Sequence, residues 1–263
     1  MSNTYKLSEK DSSQYEDGYS IFLKRSDFRD KVISKFSSLA KESFSKKSSI
    51  SILDVGCGNG HMTLRYMNEL KQLGLGIELK LHEPAESSLQ EAKELLSPVV
   101  DSIMTVEAFD NCNYDLIIAS YVFYHLQANT LTKLANHLKP QGILAIMMGT
   151  NHHPLKSHPI LKSASAHGSS DKLTPLLDNL NRSGNFKISR NNFETNLNLN
   201  GLWPNKVFSE EAQSLLSFSL NRNLRELKDD SLKAISEIFE TAFDKDAGFL
   251  KPIHEIIWVE RVR

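Results

Sequence analysis

The residues best suited to chemistry in this sequence form one run, Asp54-Val55-Gly56-Cys57-Gly58-Asn59-Gly60, set between the apolar stretch Ile50-Ser51-Ile52-Leu53 and a helical pattern that begins at His61. A strand that enters a helix through glycines lets the backbone approach a ligand closely, because no Cβ stands in the way. The helix start then offers unpaired N–H groups to electronegative ligand atoms. A dinucleotide loop needs glycine at its first, third and sixth positions, with the pyrophosphate on the helix N-terminus. Counting from Gly56, the third position is Gly58 but the sixth is His61. Asp54 also places a carboxylate two residues before the first glycine, which suits a ligand carrying an ammonium group and opposes a pyrophosphate. A second acid, Glu83, ends the next apolar run in Leu81-His82-Glu83-Pro84. Its two acceptor oxygens can serve two neighbouring donors at once.

The pattern Asp-x-Gly-x-Gly-x-Gly behind an apolar strand resembles the signature loop of class I S-adenosylmethionine-dependent methyltransferases. The resemblance implies that Gly56 and Gly58, with Cys57 and Asn59, line the amino-acid half of S-adenosylmethionine, and that Asp54 lies near its ammonium. Glu83, followed by Pro84, matches the acid that accepts both ribose hydroxyls. Ala119-Ser120-Tyr121-Val122-Phe123-Tyr124-His125-Leu126 resembles the fourth-strand segment of small-molecule methyltransferases. That match sets Ser120 and Tyr121 beside the cofactor, and Tyr124 and His125 on the substrate side; helix capping is the other role open to His125. Glu107 and Phe109 are the candidates for the adenine. An Asp/Asn-Pro-Pro-aromatic segment, usual in nucleic-acid amino-methyltransferases, is missing here.

More loosely, the chain resembles histamine N-methyltransferase and its relatives. Tyr15-Glu16-Asp17-Gly18-Tyr19-Ser20-Ile21-Phe22-Leu23-Lys24-Arg25-Ser26 looks like that family's lead helix, which closes over the ligand. Glu83-Pro84-Ala85-Glu86-Ser87-Ser88 resembles its second-strand acid and following helix, with Ser88 at a further cofactor contact. The substrate-recognising acid of that family falls at or near Phe28, beside Asp27, and its glutamine falls at Tyr121. Its C-terminal asparagine has no counterpart among Pro252, Ile253 and His254. These departures point away from histamine and toward a more aromatic pocket built from Tyr15, Tyr19, Tyr121, Tyr124, Trp203 and His254. For each of these aromatics core packing is the plain alternative. The candidate bases are His125, His254 and Glu255. The expected reaction is in-line methyl transfer to nitrogen or oxygen of a small molecule, an amine favoured, with a carboxylic acid or hydroxyl next. A non-catalytic cofactor-binding protein is the reading from another class.

Positioning such a site requires alternating strands and helices. Apolar runs predict strands at Ile50–Val55, Ile77–His82, Val99–Val106, Tyr114–Ser120 and Ile143–Met148, with helices at His61–Leu73, Ala85–Leu96 and Asn129–Leu138 between them. Strands apolar on both faces, separated by helices, predict a doubly wound, mostly parallel sheet. Seven strands are expected in all, the last antiparallel at Glu255–Val262. A lead helix over residues 15–44 and a helical cap inserted at about 200–245 complete the expected single methyltransferase domain.

The bulk numbers agree with such an enzyme. The chain has 263 residues, 40% hydrophobic and 24% charged, with a formal net charge of −1. A chain of this size can bury a large core, and its balanced charge argues against a general nucleic-acid or anionic-membrane binder. Cys57 and Cys112 are the two cysteines, too few for a disulfide framework or zinc spacing. His152, His153 and His158 lack a second ligand cluster, so no metal is expected. No apolar run approaches the roughly 20 residues that span a bilayer. A cytoplasmic monomer acting on a small molecule is the expectation, with neither nucleic acid nor membrane as partner.

Overall fold

The computed structural model describes residues 9–106, 112–123, 126–127, 129–150, 152–164, 173–220, 227–246 and 248–262. In chain order the elements are α1 (Glu9–Arg25), α2 (Phe28–Phe44), β1 (Ser49–Val55), α3 (His61–Gln72), β2 (Gly76–His82), α4 (Glu86–Leu96), β3 (Ser102–Thr105), β4 (Tyr114–Ser120) and α5 (Thr130–Asn136). There follow β5 (Leu138–Gly149), α6 (Pro154–Ser157), α7 (Pro159–Ala164), α8 (Thr174–Arg182), β6 (Phe186–Glu194), β7 (Leu197–Asn198), α9 (Glu210–Leu220), α10 (Asp229–Asp246), β8 (Phe249–Leu250) and β9 (Ile253–Arg261). Among the described residues no helix is long and apolar enough to cross a membrane. Two compact units emerge, one drawn from Met1–Arg29, Asn151–Gly168 and Glu194–Ile253, the other from Asp30–Thr150, Ser169–Phe193 and His254–Arg263.

The second unit holds a seven-stranded sheet in the order β3-β2-β1-β4-β5-β9-β6. Strands β3, β2, β1, β4 and β5 run parallel, and β9 runs antiparallel to β5. Six consecutive residues of β4, Tyr114 to Ala119, are buried, as a central strand covered on both faces must be. On one face Phe36 of α2 and Tyr66 of α3 pack at 4.7 Å, with Trp258 of β9 at 6.1 Å from Phe36. On the other, Leu131 and Leu134 of α5 and Leu177 and Leu180 of α8 join Ile257 and Val259 of β9 in one cluster. At the amino-terminal end of the sheet, Asp115 accepts hydrogen bonds from Lys47, Lys139 and Ser51. Burial pushes this carboxyl up, but its donors outweigh burial and hold it well below the usual carboxylate range.

Several boundaries differ from expectation, each for a local reason. The helical stretch over 15–44 breaks into α1 and α2, because Ser26 bridges Leu197 and the Asp27 carboxylate takes the Asn196 backbone and side-chain N–H groups at 2.7 and 3.0 Å. Strand β3 starts later than Val99, since the Val99 and Val100 N–H groups still bond back to Leu96. Strand β5 starts earlier than Ile143, because Leu138 already pairs with Tyr114. The turn read at Pro140-Gln141-Gly142 is a bulge inside β5, with Gln141 at φ 63° and the register shifting between Tyr114 and Leu116.

In the first unit, α1 packs on α9. Arg25 forks onto Glu211 at 2.7 and 2.8 Å, and Phe218 lies 5.5 Å from Tyr19 and 5.7 Å from Phe22. Strands β7 and β8 form a two-stranded antiparallel ribbon.

Candidate functional site

Strand β1 leaves the sheet with Val55 opposite His82, and the Gly56 N–H still donates to the His82 carbonyl at 2.7 Å. The loop is therefore held beside Glu83, the next residue of the neighbouring chain segment. Gly56, Gly58 and Gly60 all take positive φ, at 72°, 55° and 81°. A Cβ at Gly56 would overlap the Val122 side chain, and one at Gly60 would lie 2.8 Å from the Ala92 Cα of α4. Gly60 thus does the close-packing job that counting for a dinucleotide loop seeks one residue later. A Cβ at Gly58 would meet nothing within 4 Å, so open space lies on that side of the loop. Gly56→Ala should cost about 2–4 kcal/mol in urea denaturation, combining left-handed backbone strain with overpacking against Val122. Gly58→Ala should cost about 1–2 kcal/mol from the strain alone, so equal losses would contradict this division of labour.

Two carboxylates flank the loop. Asp54 is 2% exposed and accepts the Thr63 hydroxyl at 2.6 Å. Burial pushes its carboxyl up to about 7, against the pull of the Thr63 bond and with a further push from the Glu83 charge. Glu83 accepts the Gly58 N–H through Oε2 and the Ala85 N–H through Oε1, both at 3.0 Å. Each oxygen retains a lone pair for another donor, so the backbone fixes this acid without exhausting it. The Cys57 thiol donates to the Gly58 carbonyl at 3.6 Å. Burial first, then the Asp54 and Glu83 charges, push it far up; it is a packed thiol and not a nucleophile. Asn59 and Pro84 are exposed, and Ser88 is half-buried in the first turn of α4. Open space over Gly58, a buried acid and an anchored two-oxygen acceptor together fit S-adenosylmethionine.

The end of β4 adjoins this loop through the Val122–Gly56 approach. The Ser120 hydroxyl meets the Tyr66 hydroxyl at 3.1 Å. Tyr121 takes φ 57°, a left-handed backbone that costs a non-glycine residue about 1–3 kcal/mol and persists where surroundings enforce it. Its N–H donates to the Met147 carbonyl at 2.9 Å, and its hydroxyl lies 2.5 Å from His254 Nδ1. His254, 5% exposed, pairs across the sheet with Gly149, and Phe193 of β6 stacks on it at 5.6 Å.

Glu255 requires a correction as a candidate base. Successive residues of a strand face opposite sides, and Glu255 turns away from His254 into a bidentate pair with Arg190 at 2.7 and 2.8 Å. Arg190 also donates to Thr174 at 3.0 Å. A carboxylate 3% exposed and forked by a guanidinium is a tie between β9 and β6, with its charge already neutralised.

Of the other expected pocket residues, Tyr19 packs on Phe218, where burial raises its phenol against the lowering influence of Arg29. Trp203 sits among Phe208, Phe239 and Phe243, with ring centroids 5.9–6.3 Å away. Both are half-buried among aromatic rings of the first unit. Tyr15 lies on α1 with its side chain outside the described residues, where Glu107, Phe109, Tyr124 and His125 also fall. His153 accepts the Leu155 N–H at 3.2 Å at the start of α6. Among the described residues no three metal-ligating side chains come together. Thr63, Val122 and Phe193 touch the candidate residues Asp54, Gly56 and His254 and carry no signal in the sequence.

A sequence profile of the methyltransferase-domain family matches residues 25–188, more than half of the chain. No curated protein sequence matches. The plantazolicin methyltransferase BpumL, solved with S-adenosylhomocysteine, superposes with a TM-score of 0.53 at 16% identity, over 97% of this chain and 90% of that one. BpumL with a pentazolic desmethylPZN analogue gives 0.52 at 17%, over 98% and 100%. The YcgJ protein of Bacillus subtilis gives 0.55 at 11%, over 88% and 99%. These likenesses speak to the fold, and the profile to the family. The chain belongs to the methyltransferase-domain family, as an S-adenosylmethionine-dependent methyltransferase of the class I fold.

Proposed function

We propose that this enzyme methylates a nitrogen or oxygen of a small molecule, with an amine as the favoured acceptor. The observation that carries the reading is the character of the β4 edge. At the end of β4 beside the loop stands Tyr121, joined to His254 and Phe193, while Arg190 is paired with Glu255 on the opposite face of β9. An acidic acceptor calls for a free basic partner, whereas an amine is at ease among carboxylates and aromatic faces, where cation–π attraction contributes roughly 0.5–2 kcal/mol.

When bound, S-adenosylmethionine supplies the activated methyl group, and the protein's own task is orientation and exclusion of water. In this reading Asp54 receives the donor's ammonium and Glu83 its ribose hydroxyls. Gly58 admits its amino-acid half, and Ser120 and Tyr121 close on it from β4. Holding the reactants in line can lower the barrier by about 7–11 kcal/mol. The same proposal takes the chain as a single domain that works as a cytoplasmic monomer without nucleic acid or membrane. The finer likeness to histamine N-methyltransferase rests on sequence alone.

The test is a labelled-methyl transfer screen over amines, phenols and carboxylic acids, with S-adenosylhomocysteine binding measured alongside. Label on amines is the expected result. Label confined to carboxylic acids would replace the amine reading with O-methylation of an acid. Tight binding with no transfer to any class would leave a cofactor-binding protein without catalysis.

A further inference from the structure

We propose that Tyr121 and His254 form a proton-accepting dyad, in which the Tyr121 hydroxyl takes the acceptor's proton and His254 Nδ1 takes the hydroxyl's. The inference rests on the methyl-transfer reading and narrows it to acceptors that carry a proton to lose, such as a primary or secondary amine or a hydroxyl.

Four observations meet at this pair. Tyr121 keeps a left-handed backbone that glycine would adopt more easily, so something at this position requires a side chain despite the strain. Its neighbour Val122 rests on Gly56, which puts the tyrosine at the lip of the cofactor loop. Its hydroxyl is engaged at 2.5 Å by a histidine that is 5% exposed and carried by another strand. Phe193, stacked at an interplanar angle of 25°, holds the imidazole plane.

The phenol meets the imidazole at Nδ1. From β4 His254 meets Tyr121, from β5 its register partner is Gly149, and from β6 it meets the ring of Phe193. Arg190 and Glu255 neutralise each other on the far face. In the step, the acceptor's N–H or O–H bond breaks as its C–N or C–O bond forms, and the sulfur keeps the electron pair of the broken S–C bond. The released proton passes to Tyr121 Oη, while the tyrosine's own proton moves to Nδ1. Imidazole becomes imidazolium, and the positive charge of the sulfonium ends on His254. Tyr121 is the catalytic residue here, and His254 acts through it.

The deciding measurement needs no acceptor. In protein labelled with 15N-histidine and loaded with S-adenosylhomocysteine, long-range 1H–15N correlation reports the protonation of each imidazole nitrogen. The dyad predicts neutral His254 with its proton on Nε2 and Nδ1 accepting, proton uptake on acidification, and a shifted titration in Tyr121→Phe. A neutral His254 bearing its proton on Nδ1, or one that does not titrate between about pH 5 and 9, would overturn the proposal on wild-type protein alone. With an amine or phenol acceptor, Tyr121→Phe and His254→Gln should each lower kcat on the order of 10²–10⁴-fold. His254→Gln should abolish the acidic limb of the kcat profile and keep its affinity for S-adenosylhomocysteine; a purely structural histidine would leave that limb in place. Failure of the wild-type protein to bind S-adenosylhomocysteine would instead overturn the methyltransferase reading and the dyad with it.

Discussion

Glu83→Ala is expected to weaken S-adenosylhomocysteine binding about 100-fold or more in isothermal titration calorimetry. The carboxylate is held by two backbone donors, Gly58 N–H and Ala85 N–H, one from the glycine loop and one leading into α4. These bonds aim both oxygens while leaving a lone pair on each for the proposed ribose hydroxyls. A hydrogen bond to a charged group contributes roughly 1.5–3 kcal/mol, so losing two corresponds to about 3–6 kcal/mol before any relaxation of the loop. Relaxation offsets part of this, because a water can enter and satisfy the ligand hydroxyls, which is why the lower figure is the prediction. Glu83→Gln sharpens the test. An amide keeps one acceptor oxygen and turns an NH₂ toward a backbone N–H or a ligand hydroxyl, so it should lie between wild type and alanine. Thermal stability without ligand should fall modestly, since Gly58 and Ala85 lose their acceptor but water can reach this half-buried position. An alanine variant with undiminished affinity would remove Glu83 from the cofactor site.

The site was legible in the sequence where its logic is local. Glycine spacing, the acid two residues before it and the acid at the next strand end all lie within one β-α-β segment, where the structure sets Glu83 on the Gly58 N–H. What depended on distant partners was hidden. The break between α1 and α2 answers to Asn196, a partner 169 residues from Asp27. The Tyr121–His254 contact spans 133 residues, and nothing in either neighbourhood announces the other. Trp203 reads as a pocket residue by type, yet its ring partners Phe208, Phe239 and Phe243 become visible only once α10 folds back. His254 and Glu255 are adjacent on a strand, so alternation forbids both from facing one site, and the sequence already required a choice between them.

Asp54→Asn is expected to flatten the pH dependence of both stability and cofactor affinity between about pH 4 and 7. In the folded, unliganded protein the Asp54 carboxyl is raised from 3.8 to about 7, chiefly by burial. A raised folded-state value means the native state binds the proton more tightly than the unfolded chain does. The stabilisation this provides is complete below about pH 4 and is lost as pH rises to about 7. The shift of about 3 units corresponds to roughly 4 kcal/mol, on the scale of 1.36 kcal/mol per unit. Urea denaturation of the free protein should therefore show stability from this group falling between pH 4 and 7, and Asp54→Asn should flatten that fall. The isosteric amide can still accept the Thr63 hydroxyl, so its packing stays close to wild type. Ligand binding should carry the opposite dependence. An ammonium placed beside Asp54 favours the carboxylate, so binding expels the proton, and affinity should rise about tenfold per pH unit up to pH 7 and level off above it. Calorimetry in buffers of different ionisation enthalpy would register that proton release directly. In Asp54→Asn the affinity should be lower at pH 8 and nearly constant from pH 5.5 to 8. Equal slopes in the two proteins would place the cofactor's amino group away from Asp54 and leave the aspartate a buried partner of Thr63 alone.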